Sequence, residues 1–103
     1  ATPELALWRA MLTRTPTRGY TSACAALAAA DQTKATRALR LPALVLAGSQ
    51  DGASPTAVVK ATADLIPGAA FHEIPGAGHL PCVETPAEWA AVVAPFLKEH
   101  AHV

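Results

Sequence analysis

Pro42 is followed by five uninterrupted apolar residues, Ala43-Leu44-Val45-Leu46-Ala47, and then by Gly48-Ser49-Gln50-Asp51-Gly52. Proline pushes the residue before it into extended geometry, so Leu41 marks the entry to a strand. A strand with no polar alternation has no face to offer to water. It must be covered on both sides, which is the situation of a strand in a parallel sheet packed between helices. Parallel neighbours cannot be joined by a hairpin, so the chain has to leave the strand through a crossover, usually a helix.

The sequence downstream supplies that crossover. Ser54 is placed to cap a helix with Pro55 at its first position, running to about Leu65 before Pro67-Gly68 breaks it. A second strand is expected over residues 70–74, Ala-Phe-His-Glu-Ile. After a glycine-rich loop, Thr85-Pro86-Ala87-Glu88 reads as a capping box, and Trp89, Val92, Val93, Phe96 and Leu97 share one helical face. That helix should end near Glu99, with Pro95 removing one hydrogen bond from its last turns. Upstream, Leu5, Trp8, Met11 and Leu12 recur at helical spacing. A second, Ala-rich helix follows Pro16 over residues 17–30, and a short one covers residues 33–39. Strand, helix, strand, helix is the alternation of an α/β fold with parallel strands and flanking helices.

Two residues in this frame have the chemistry of a site. Asp51 and His79 each lie in a loop just after an apolar β-like run, where an open α/β sheet presents functional side chains. In a hydrolytic triad the His accepts the proton of the nucleophile, while a carboxylate holds the ring in the right tautomer and steadies the imidazolium. Asp51 and His79 can fill those two roles. Gly76-Ala77-Gly78 before the histidine allows the close backbone approach that such a loop needs. Each residue also has a plainer reading: His79 as a loop histidine bonded for structure, Asp51 as an Asx-turn residue before Gly52.

The run Leu44 to Asp51, then Ser54-Pro55, then Gly76-Ala77-Gly78-His79-Leu80-Pro81 with Glu84 and Pro86, resembles the C-terminal third of the α/β-hydrolase superfamily. The resemblance covers roughly residues 41–98. In that family the triad runs Ser, then Asp or Glu, then His along the chain, which implies that Asp51 is the acid and His79 the base. Upstream, Met11-Leu12, Thr15, Gly19-Tyr20, Cys24, Ala26-Leu27 and Ala30-Asp31 resemble the 3-oxoadipate enol-lactonases, hydrolases of aromatic catabolism that open an enol-lactone ring. Leu80-Pro81-Cys82-Val83-Glu84 is the generic form shared by many esterases and C–C hydrolases. The resemblance implies that residues 1–40 are the end of a helical cap and residues 41–103 the C-terminal β/α portion of the core. It implies further that Trp8 and Met11 line a substrate pocket, their alternative being ordinary helix packing. No cofactor and no metal are implied.

The nucleophile is what these residues lack. The serines are Ser22, Ser49 and Ser54, and none is the centre of Gly-x-Ser-x-Gly, the strained turn that exposes a nucleophile beside its oxyanion hole. A His-Gly run for the other half of that hole is missing too, so residues 1–103 alone are expected not to turn over esters. With 103 residues the chain can hold one core, whereas a complete α/β-hydrolase needs about twice that. A two-stranded remnant leaves sheet edges open. The expected partners are therefore the N-terminal half of the same hydrolase or a second copy of the chain, with a small ester or lactone as substrate. Two alternatives remain at this level: another α/β-hydrolase (an esterase, a cofactor-free haloperoxidase-like enzyme or a C–C hydrolase), and a non-catalytic interaction fragment.

Charge and composition narrow the classes further. Net charge is zero, but residues 1–40 carry six basic side chains against Glu4 and Asp31, whereas residues 41–103 carry Lys60 and Lys98 against six acids. A basic cap would attract a dicarboxylate-like substrate; a solvated helix face is the plainer reading. Nucleic acid is not expected, since no aromatics interleave with the basic residues. No apolar run approaches the ~20 residues of a membrane span and no signal-like segment is seen, so a soluble, cytoplasmic protein is expected. Cys24 and Cys82 have neither disulfide-framework nor zinc spacing and read as reduced core or near-core residues. His72 reads as a partly exposed strand residue, and His100 and His102 as tail residues.

Overall fold

The computed structural model describes residues 2–100, which fall in two compact units, Ala1–Gln32 and Thr33–Val103. The first holds two helices, α1 (Pro3–Arg14) and α2 (Thr17–Ala29). Thr2 caps α1: its Oγ1 accepts the Leu5 N–H at 3.2 Å, with proline in the first turn, where a missing N–H costs nothing. Pro16 stands at the N-cap of α2 without a side-chain cap bond. Neither helix buries a residue.

The second unit runs α3 (Thr33–Arg37), β1 (Leu44–Gly48), α4 (Thr56–Leu65), β2 (Ala70–Ile74), α5 (Pro81–Glu84) and α6 (Pro86–His100). Helix α3 therefore groups with the sheet rather than with the two helices before it. β1 and β2 pair in parallel, in a register that sets Leu44 opposite Ala70 and Gly48 opposite Ile74. α4 is the crossover and packs on both strands; α6 packs on β2. The α/β class expected from the alternation is thus the observed one.

Several local expectations are corrected. Pro55, not Ser54, is the N-cap of α4, and the Val58 and Val59 N–H groups donate to its carbonyl at 2.8 and 3.2 Å. The Thr85 hydroxyl donates to the Pro81 carbonyl at 3.2 Å, behind a short helix, α5, that periodicity did not reveal. β1 is not buried throughout: residues 44–46 are half-buried, and only Ala47 and Gly48 are fully covered. Two strands cannot shield both faces of an apolar sheet. Cys24 and Cys82 are free thiols as expected, but both are exposed rather than core. His72 is exposed on β2, and His100 ends α6 with its ring 4.7 Å from that of Phe96; His102 lies outside the described residues.

The core is small and sits at one place. Ala47, Ala63, Ile74 and Ala77 are its buried apolar residues, and three of them belong to the carboxyl ends of the strands or the loop beyond. Trp89, Val92, Val93 and Phe96 are half-buried on α6, as their shared face predicted, while Leu97 stays exposed. Among the described residues no helix is long and apolar enough to cross a membrane.

Candidate active site

The carboxyl ends of β1 and β2 release the two loops that carry Asp51 and His79, and parallel pairing brings those loops side by side. Contact between them is close because residue 48 is glycine. A Cβ there would collide with the carbonyl oxygens of Ala77 and Gly78. Three hydrogen bonds then lock the second loop to the end of β1. The Ser49 N–H donates to the Ile74 carbonyl at 3.1 Å, the Gln50 N–H to the Ala77 carbonyl at 2.8 Å, and the Gly76 N–H to Ser49 Oγ at 2.8 Å. Gly76 makes the turn with φ +77°, a left-handed conformation that side chains disfavour. Ala77 is fully buried between the loops.

On this platform His79 Nδ1 lies 2.9 Å from Asp51 Oδ2, across 28 residues of sequence. A carboxylate can only accept, so the bond requires the proton on Nδ1 and leaves Nε2 as the free lone pair of the neutral ring. The other carboxylate oxygen of Asp51, Oδ1, accepts the N–H groups of Ala53 at 2.8 Å and Ser54 at 2.9 Å. Asp51 thus closes a turn through one oxygen and bonds the histidine through the other. These bonds stabilise the anion. The Ser54 N–H first, then His79 and the Ala53 N–H, hold the Asp51 carboxyl below its ordinary value of 3.8, against an opposing effect of burial.

The two side chains differ in exposure. Asp51 has a side chain only 6% exposed, whereas that of His79 is 60% exposed. One is a shielded acceptor; the other is largely open to solvent. Glu84 is a further participant. Its carboxylate accepts the Gly78 N–H from the far side of the loop. The sequence offered no periodic signal for that bond, since a glycine six residues before an acid belongs to neither helix nor strand spacing. Trp8 and Met11 lie on α1 in the first unit, Trp8 half-buried and Met11 47% exposed. Ser49 is engaged by the Gly76 N–H, and Ser54 gives its own N–H to Asp51.

No family model and no curated protein matches the chain. Solved structures do, and they are α/β-hydrolases matched over part of their length. A hydrolase from Pseudomonas aeruginosa is 31% identical, with a TM-score of 0.87 over 94% of this chain and 36% of that one. The enol-lactonase of Burkholderia xenovorans LB400 is 33% identical, with a TM-score of 0.86 over 91% of this chain and 36% of its own. An esterase from Thermogutta terrifontis is 39% identical, at TM-score 0.65 over 67% of this chain and 25% of the esterase. The chain thus spans about a third of the length of the Pseudomonas hydrolase and the Burkholderia enol-lactonase.

Proposed function

We propose that this chain is the acid–base portion of a serine α/β-hydrolase that acts on a carboxylic ester or lactone, with 3-oxoadipate enol-lactone as the favoured substrate. The observation that carries the reading is the bond between His79 Nδ1 and Asp51 Oδ2 at the carboxyl ends of two adjacent parallel strands. In this mechanism His79 Nε2 takes the proton of a serine hydroxyl as that oxygen attacks the carbonyl, and Asp51 steadies the imidazolium. The adduct collapses by breaking its acyl–oxygen bond as the imidazolium gives its proton to the leaving oxygen, which leaves an acyl-enzyme. Neutral His79 then takes a proton from water as the water oxygen attacks the acyl carbon, and returns it to the serine oxygen as the acid departs. The serine and the oxyanion donors come from outside residues 1–103, where Gly-x-Ser-x-Gly does not occur. No cofactor or metal enters the scheme.

The preference for a lactone rests on reach. A match over 91% of the chain cannot be contained within residues 33–103, so the likeness to the Burkholderia enol-lactonase extends into the two helices of the first unit. Matches such as the Thermogutta esterase cover 67%. Those helices would be the end of a cap, with Trp8 and Met11 on its substrate side and Arg9, Arg14 and Arg18 drawing in a dicarboxylate-like lactone. The partner for the open sheet is the serine-bearing remainder of the hydrolase, failing which the chain associates with itself; the site of action is the cytoplasm.

The test is an assay of the polypeptide that joins this segment to its Gly-x-Ser-x-Gly portion, against 3-oxoadipate enol-lactone and a simple aryl ester. Faster turnover of the lactone, lost in His79→Ala, is the expected result. Preference for the aryl ester would move the protein to another branch of the α/β-hydrolases, and turnover unaffected by His79→Ala would end the triad reading.

A further inference from the structure

We propose that Glu84 is a positioning residue for His79: by holding the Gly78 amide, its carboxylate sets the backbone so that the imidazole presents Nδ1 to Asp51. This rests on the reading of Asp51 and His79 as an acid–base pair. The loop between β2 and α5 is anchored on one side only by the end of β1, through Ser49 and Gln50, and those bonds reach Gly76 and Ala77 but not the residues after them. Beyond Ala77 the chain turns into α5, whose first turn is closed by the Val83 and Glu84 N–H groups on the Leu80 carbonyl at 2.9 and 3.0 Å. Glu84 stands at the end of that turn and reaches back across the loop to the Gly78 N–H. The Ala77–Gly78 peptide, just before His79, is therefore held at both ends, its carbonyl by the Gln50 N–H and its own N–H by Glu84.

A side chain at residue 78 would make the Glu84 carboxylate shift. A Cβ there would lie 2.9 and 3.1 Å from the two carboxylate oxygens of Glu84, inside contact distance. Asp51 is already fixed by Ala53 and Ser54, so it cannot follow a wandering ring. With the His79 side chain 60% exposed, little packing holds the imidazole in place. The backbone direction at Gly78 thus decides whether Nδ1 meets Oδ2. Glu84 is itself exposed and acts as an acceptor for one amide, a role that glutamine can fill without the charge and that aspartate, one methylene shorter, cannot.

The experiment is 15N NMR of the His79 ring in the whole 103-residue chain at pH 8, where the ratio of Nδ1–H to Nε2–H tautomers is read directly. Circular dichroism is recorded alongside as a check of folding. In the parent chain the Nδ1–H form dominates. Glu84→Ala is expected to lower the ratio about three- to tenfold, the factor that one hydrogen bond of ordinary net strength supplies. Glu84→Gln should keep it within about twofold, because the amide oxygen still accepts. Should Glu84→Ala lose the helical signal, Glu84→Asp takes its place and is expected to fall while Glu84→Gln holds. Asp51→Asn separates the two levels of the reading. A ratio that collapses in Asp51→Asn but stays at the parent value in Glu84→Ala and Glu84→Asp overturns the role of Glu84 alone. A ratio that ignores Asp51→Asn as well removes the acid–base pair, and the positioning role with it.

Discussion

The two units are built on opposite principles. In the first, the hydroxyls of Thr13, Thr15 and Thr21 and the guanidinium of Arg14 bond back to their own helices within four residues, and no residue of α1 or α2 is buried. Leu7 and Leu27 are 72% and 76% exposed. In the second, the bonds that matter span the sequence: Gly76 to Ser49 across 27 residues, His79 to Asp51 across 28. Local bonds make helices, but a site whose groups come from distant segments needs a sheet to hold them in register. The second unit has that sheet, and buried Ala47, Ile74 and Ala77 lie where the two loops leave it.

The contrast gives unequal costs for similar deletions. Ile74→Ala, at a residue 1% exposed, should destabilise the second unit by about 2–5 kcal/mol, enough to unfold it or nearly so. Leu27→Ala removes comparable bulk from the first unit and should shift stability by no more than about 0.5 kcal/mol. Urea melts of the two variants make the comparison, and equal losses would break it. Gly48→Ala is expected to cost about 1–3 kcal/mol by forcing a methyl group against the Ala77 and Gly78 carbonyls. It should also part His79 from Asp51, visible in the histidine ring resonances; a parent-like melt and spectrum would show that the loops do not need this close approach.

A smaller effect concerns pH. The Asp51 carboxyl is held below its ordinary value of 3.8, so its bonds add stability that is fully present above that pH and is lost as pH falls through the lowered value. Asp51→Asn should therefore flatten the acid limb of the stability curve below pH ~4. An acid limb identical in the two proteins would mean that Asp51 is not anchored as described. Smaller still is the pair between Lys60 and Asp64 on the exposed side of α4. Lys60→Ala should cost about 0.5 kcal/mol or less, the usual worth of an exposed pair at this spacing.

Much of this was legible in the sequence, for reasons that differ from element to element. The strand after Pro42 announced itself because five apolar residues admit no wet face, and α6 because Trp89, Val92, Val93 and Phe96 fall on one side of a helix. Asp51 and His79 stood out because each lies in the loop that follows a strand. What the sequence hid was held by tertiary contact. The Ser54 side chain looks like a helix cap, yet its backbone N–H is taken by Asp51 and the N-cap is Pro55. Gly48 reads as an ordinary strand end until the carbonyls of Ala77 and Gly78 are seen against it. Cys24 and Cys82 have the composition of core residues, but the first sits on a helix that buries nothing and the second on a one-turn helix at the surface. The clasp of Glu84 on Gly78 depends on a turn between them that has no sequence period.

The Asp51–His79 pair is tested most directly by steady-state hydrolysis of 3-oxoadipate enol-lactone by the polypeptide containing the Gly-x-Ser-x-Gly portion, compared with its Asp51→Asn form. Asparagine preserves shape but favours the wrong imidazole tautomer, so kcat should fall on the order of 10⁴-fold. A variant that retains parent-like kcat would show that the bond between Asp51 and His79 is structural and that the acid of the site lies elsewhere.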